Sequence, residues 1–64
     1  MKTYTIRVSP RHSLEYHYSG KEWWGNVRSD NSGAYILTST TSKSKEECLV
    51  FTAIDYGKYL EGKL

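Results

Sequence analysis

The sequence predicts an α+β domain: an antiparallel meander of three to four strands with one C-terminal α-helix packed on one face, in the order β-β-β-β-α. Three observations carry this expectation. Four short runs alternate apolar and polar residues with a period of two; clusters of turn-forming residues separate them; and the last third changes to helical spacing behind an N-capping serine.

The first run, TYTIRV, turns Tyr4, Ile6 and Val8 one way and Thr3, Thr5 and Arg7 the other. SPRHS follows as a turn, because proline fixes φ and cannot donate to a ladder. SLEYHY alternates again, with Leu14, Tyr16 and Tyr18 opposed to Glu15 and His17. Ser19-Gly20 reads as a two-residue hairpin connection, Gly20 supplying the positive φ. KEWWGNVR is the third strand, RSDNSG the next turn, and AYILTST the fourth strand. Short consecutive links favour a meander.

Ser44 with Glu47 three residues later fits a capping box, and Glu46 and Glu47 complement the positive end of the helix dipole. Cys48, Leu49, Thr52, Ala53, Tyr56, Tyr59 and Leu60 recur on one side at helical spacing, which predicts a buried stripe. Gly57 weakens the helix and Gly62 stops it.

Trp23 and Trp24 are adjacent, so in a strand they point to opposite faces. One is expected under the helix and the other on the sheet face that a lone helix cannot cover, near Arg28, Arg7 and His17. A bulge at Gly25 would exchange them, and the sequence leaves open which is exposed.

Sixty-four residues make a single domain, 1–64, with a small core. Cys48 is the one cysteine, so no intrachain disulfide forms; this and the lack of an apolar leader behind Met1 point to the cytoplasm. The pattern running from Met1 almost to Leu64 is expected to be a complete small gene product. No run approaches the roughly 18 apolar residues of a membrane span. The net charge of +2 arises in residues 1–32, where five Lys/Arg face three Asp/Glu; residues 33–64 are balanced. That excess is too small to imply nucleic acid by itself.

Residues 23–54 combine an aromatic strand start (Trp23, Trp24), an Asn-Gly type turn (Asp30-Asn31-Ser32-Gly33), Ile36-Leu37-Thr38-Ser39, and Ser44-Lys45 opening a helix that carries Cys48. In these pieces the stretch resembles the YegP-like family of small β-β-β-α repeat proteins. It departs from the family pattern by one extra residue between Asn31 and Gly33 and by Thr52 at an aliphatic position. The resemblance implies fold and brings no defined chemistry.

Catalytic, metal and cofactor sites are not expected. Cys48 lies on the apolar helix stripe, where a thiol behaves as a small hydrophobe, and His12, His17 and Cys48 lack the paired spacing of a zinc site. Gly20, Gly25 and Gly33 are scattered rather than gathered in a phosphate loop. No small-molecule substrate is expected, and the protein is read as a non-enzyme. Two binding surfaces stand out. Val50, Phe51 and Ile54 form a second apolar cluster pointing away from the buried stripe, which predicts a contact with another protein or a second copy of the chain. Arg7, His17, Lys21, Trp24 and Arg28 form a basic and aromatic set on the sheet, an alternative surface for nucleic acid or a partner; here the overall plan resembles sheet-plus-helix DNA-binding domains of some integrases and plant transcription factors. The expected role is binding through protein–protein contact, and free-standing domains of this size without catalytic signatures are often inhibitors or adaptors, including those encoded by phages and mobile elements.

Overall fold

The structure, a computed structural model, describes residues 2–63, leaving aside the side chain of Ser39. Met1 and Leu64, the limits of the expected complete product, lie outside the described residues. Four strands, β1 (Thr3–Ser9), β2 (His12–Tyr18), β3 (Trp23–Ser29) and β4 (Tyr35–Ser42), precede one helix, α1 (Lys45–Leu60). The strands form one antiparallel sheet in the order β1-β2-β3-β4. This is the meander that the alternating runs and short links predict.

Residues directly opposite in an antiparallel sheet share a face, so the register sorts the side chains into cross-strand rows. Tyr4, Tyr16, Gly25 and Thr40 form one row, and Ile6, Leu14, Val27 and Leu37 the next. Tyr18, Trp23 and Ser42 lie beyond them on the same face. The opposite face carries Thr3, His17, Trp24 and Thr41 in one row, Thr5, Glu15 and Asn26 in the next, and Arg7, Ser13, Arg28 and Tyr35 in the last.

The helix rests on β3 and β4, and Gly25 decides how closely. A Cβ built on Gly25 would fall on Thr52 Oγ1, 3.1 Å from Cys48 Sγ and 3.3 Å from Thr52 Cβ. A glycine in mid-strand is therefore the seat of the helix, where a bare backbone admits the fully buried Thr52 and Cys48. Thr52 Oγ1 donates to the Cys48 carbonyl at 2.7 Å, which satisfies a hydroxyl that would otherwise be buried without a partner. Leu14, Val27 and Tyr56 complete the core, flanked by half-buried Val8, Tyr16, Ile36, Leu37 and Leu49.

Both helix ends follow sequence signals. Ser44 Oγ accepts from the Glu47 N–H, while the Ser44 N–H bonds to Ser42 Oγ, which in turn donates to Glu47 Oε1 at 2.7 Å. The reciprocal half of the capping box thus passes through Ser42. At the other end Gly62 takes φ +74°, Gly62 N–H donates to Tyr59 O and Lys63 N–H to Lys58 O, the paired bonds of a Schellman stop. No helix among the described residues is long and apolar enough to cross a membrane.

The structure corrects several local expectations and decides one alternative left open. The β2–β3 link is four residues, 19–22, rather than the two-residue Ser19-Gly20 turn, because Ser19 closes it by accepting at Oγ from the Lys21 and Glu22 N–H groups and bonding the Glu22 carbonyl. Lys21 therefore lies in that loop and not on the sheet face. Ala53, Tyr59 and Leu60 are exposed instead of joining the buried stripe, which narrows to Cys48, Thr52 and Tyr56. Trp23 does face the helix side, but its ring packs on Tyr16 and Tyr18 and stays half-buried. The irregularity beside Gly25 puts its extra residues in β4, so Trp23 and Trp24 keep opposite faces.

Candidate interaction surfaces

Three surfaces stand open, two of which carry the candidate residues. On the helix, positions 48, 52 and 56 point into the sheet, and a rotation of about 100° per residue carries 50, 51 and 54 round to the outer side. Val50, Phe51 and Ile54 are 54%, 45% and 49% exposed, so the helix displays an apolar stripe on the side the sequence assigns to a partner. The neighbouring Asp55 and Glu47 turn toward β4, bonding Thr40 and Ser42.

The second surface is the helix-side face of β1 and β2. An α-helix is about 10–12 Å wide and strands lie about 4.8 Å apart, so one helix roofs two strands and part of a third. It reaches β2 near its own C-terminal end, where Tyr56 OH lies 2.8 Å from His12 Nδ1 and the rings of Tyr56 and Tyr59 stand edge-on to His12. Beyond that point the sheet is open. Tyr4 stacks on Tyr16 at 5.1 Å, Tyr16 and Tyr18 both pack on Trp23, and Lys2 Nζ sits 5.1 Å above the Tyr4 ring. Tyr4, Ile6 and Tyr18 are exposed. Alternation shows that these residues share a face with Leu14 and Val27, but the narrowness of one helix against four strands is what leaves them uncovered.

The third surface is the face away from the helix. It gathers Arg7, His17, Trp24 and Arg28 from the expected set, without Lys21. Trp24 and His17 stack nearly parallel at 6.4 Å. The two arginines face carboxylates. Arg28 lies 3.3 Å from the buried Glu15, which also accepts from Tyr35 OH at 2.7 Å. Arg7 approaches Asp30 at 3.7 Å, and Asp30 accepts from Ser13 Oγ at 2.9 Å. The Asp30 N–H further ties to the Arg11 carbonyl at 2.8 Å, so the β1–β2 and β3–β4 turns are clasped together. The bond that Tyr35 donates to Glu15, with the charge of that carboxylate, raises the phenol above its ordinary pKa. The outer face is thus a mixed-charge network in which each arginine has an anionic neighbour.

Cys48 is buried, and its Sγ lies 3.7 Å from the Thr40 carbonyl. Burial pushes its thiol pKa up, which disfavours the nucleophilic thiolate. His12 sits among Ser9, Tyr56 and Tyr59, and His17 against Trp24. Among the described residues, no group of three or more His, Cys, Asp and Glu could hold a metal ion.

No protein-family model, curated protein or solved structure matches the chain.

Proposed function

We propose that the protein is a small non-catalytic binding module that acts by contact with another protein, in the manner of an inhibitor or adaptor, through the helix stripe Val50, Phe51 and Ile54. The observation that carries this reading is that three large apolar side chains share the outer side of a well-capped helix and are each about half exposed. Loose folding does not explain them. The accessible surface is 4332 Å², close to the about 4,200 Å² expected for a compact protein of this mass. The total surface is ordinary, and its apolar content is what a binding site needs. Cys48, buried as a free thiol, suits a reducing compartment such as the cytoplasm. The nucleic-acid alternative on Arg7, His17, Trp24 and Arg28 draws less support, since both arginines have carboxylate neighbours.

Phe51→Asp tests the reading. The variant should keep its circular dichroism and unfolding midpoint while losing a stoichiometric protein partner that the native chain retains in sizing with light scattering. A variant that unfolds would place Phe51 in the core and end this reading. Reversible self-association of the native chain, lost in the variant, would assign the stripe to a second copy instead of a foreign protein.

A further inference from the structure

We propose that β1 is a docking edge for an extended, acidic segment of another protein, which adds to the sheet as a fifth strand beside Thr3–Arg7. The inference shares the reading of the molecule as a protein binder but uses a different surface. The sheet has two edges, and they are built differently. β4 carries two register shifts against β3, at Gly25/Val27 and Val27/Arg28, its Thr40 carbonyl faces Cys48 Sγ, and Thr40 and Ser42 bond the helix residues Asp55 and Glu47. Bulges and a covering helix are the ordinary means of closing an edge to further pairing.

β1 has neither over most of its length. Its ladder to β2 is regular from Thr3 to Arg7, its one register shift comes between Arg7 and Ser9, and its only proline neighbour, Pro10, lies beyond the strand end. Among the described residues β1 pairs with β2 alone, which leaves its outward amide and carbonyl groups for an added strand. Next to that edge, Tyr4 and Ile6 stand exposed on the helix side, where the side chains of an added strand would find apolar neighbours.

Charge selects the occupant. Lys2, Arg7 and Arg11 lie along or beside this edge, and no acidic residue occurs before Glu15, whose carboxylate already faces Arg28 and Tyr35. Arg7 has Asp30 nearby, but its side chain is 66% exposed and can meet a second carboxylate. A second copy would bring Lys2 and Arg11, at the two ends of β1, and the Asp30-paired Arg7 to the same seam, and lysine and arginine on an edge act against self-pairing. A segment alternating acidic residues with aliphatic or aromatic ones answers both faces, its acids toward the Thr5 and Arg7 side, its apolar side chains beside Tyr4 and Ile6, and one further acid at the end of the apolar side opposite Lys2, whose ammonium lies over the Tyr4 ring.

The experiment uses the full chain, isotope-labelled, with two short synthetic peptides: one alternating Glu with Val and Tyr and carrying one more Glu at the end that meets Lys2, the other identical but with Lys for each Glu. The acidic peptide should bind with slowed amide exchange confined to Thr3–Arg7, and the lysine peptide at least about tenfold more weakly. Lys2→Glu with Arg7→Glu should reverse the preference. Lys2→Glu alone, where the side chain lies over the Tyr4 ring, should shift it the same way by less, which keeps the test valid if Arg7→Glu disturbs Asp30. Phe51→Asp should leave peptide affinity unchanged. Equal binding of the two peptides, absence of binding, or protection elsewhere overturns the proposal, as does protection of β1 by self-association without peptide. Loss of peptide binding in Phe51→Asp alone would move the site to the helix, overturning the edge while preserving the protein-binding reading.

Discussion

The two halves of the sheet share one backbone pattern and differ in side-chain size. Along the row that crosses both, Tyr4 and Tyr16 stand on β1 and β2, and Gly25 and Thr40 on β3 and β4. The helix sits over the small pair. Its own contact residues, Cys48 and Thr52, are small as well, so backbone approaches backbone and the fully buried residues Val27, Cys48 and Thr52 come from this contact. Two stacked tyrosine rings occupy the corresponding place on the open half and leave no such seat. Small residues let the helix close on β3 and β4, and stacked large ones leave this part of β1 and β2 open.

Gly25→Ala is the sharpest way to break that contrast, because it puts a methyl group on the seat. It should cost about 2–3 kcal/mol in urea unfolding, a large part of the roughly 3–5 kcal/mol a core of this size supplies. Adding Thr52→Ala, which removes the clashing hydroxyl, should recover about 1 kcal/mol or more; strictly additive losses would mean that the helix does not close on this point.

Truncations compare the halves directly. Val27→Ala, at a fully buried site on β3, should cost about 2 kcal/mol, whereas Ile6→Ala, in the same row on the edge strand β1, should cost under about 1 kcal/mol. Equal losses by thermal or urea unfolding would show that the open half is as tightly enclosed as the covered one.

Smaller changes act on the helix alone. Ser44→Ala removes the N-cap and should cost about 1 kcal/mol near neutral pH. Glu46, held below its ordinary pKa by its own backbone N–H and then by the Ser44 hydroxyl, contributes stability that is present above the usual carboxylate pKa and lost as pH falls through its lowered folded value. The variant should therefore show a shallower loss of stability in acid, measured as unfolding midpoint against pH. Gly57→Ala should stabilise by about 0.5–1 kcal/mol, since an added Cβ meets open space at a helical position. A destabilised Gly57→Ala would reveal a tight approach at this end of the helix too.

Much of this architecture was legible in the residues. Alternation placed all four strands, Ser44 and Gly62 fixed the helix ends, and helical spacing brought Val50, Phe51 and Ile54 to one outward side. The candidate sheet face was legible only in part: Arg7, His17, Trp24 and Arg28 share it as their parity requires, but Lys21 left it because Ser19 organises a longer loop than the Ser-Gly pair suggests. Charge was the larger gap. That Arg28 meets Glu15, and Arg7 meets Asp30, depends on strand register, which pairs residues far apart in the chain.

Local periodicity and capping chemistry act within a few residues, so the sequence by itself determined which segments are strands, where the helix starts and stops, and which side chains share a side. Where the helix comes to rest is a contest among distant groups for close approach. Only the tertiary structure decided it, by seating α1 on Gly25 and leaving β1, with Tyr4 and Ile6 beside it, as the uncovered edge.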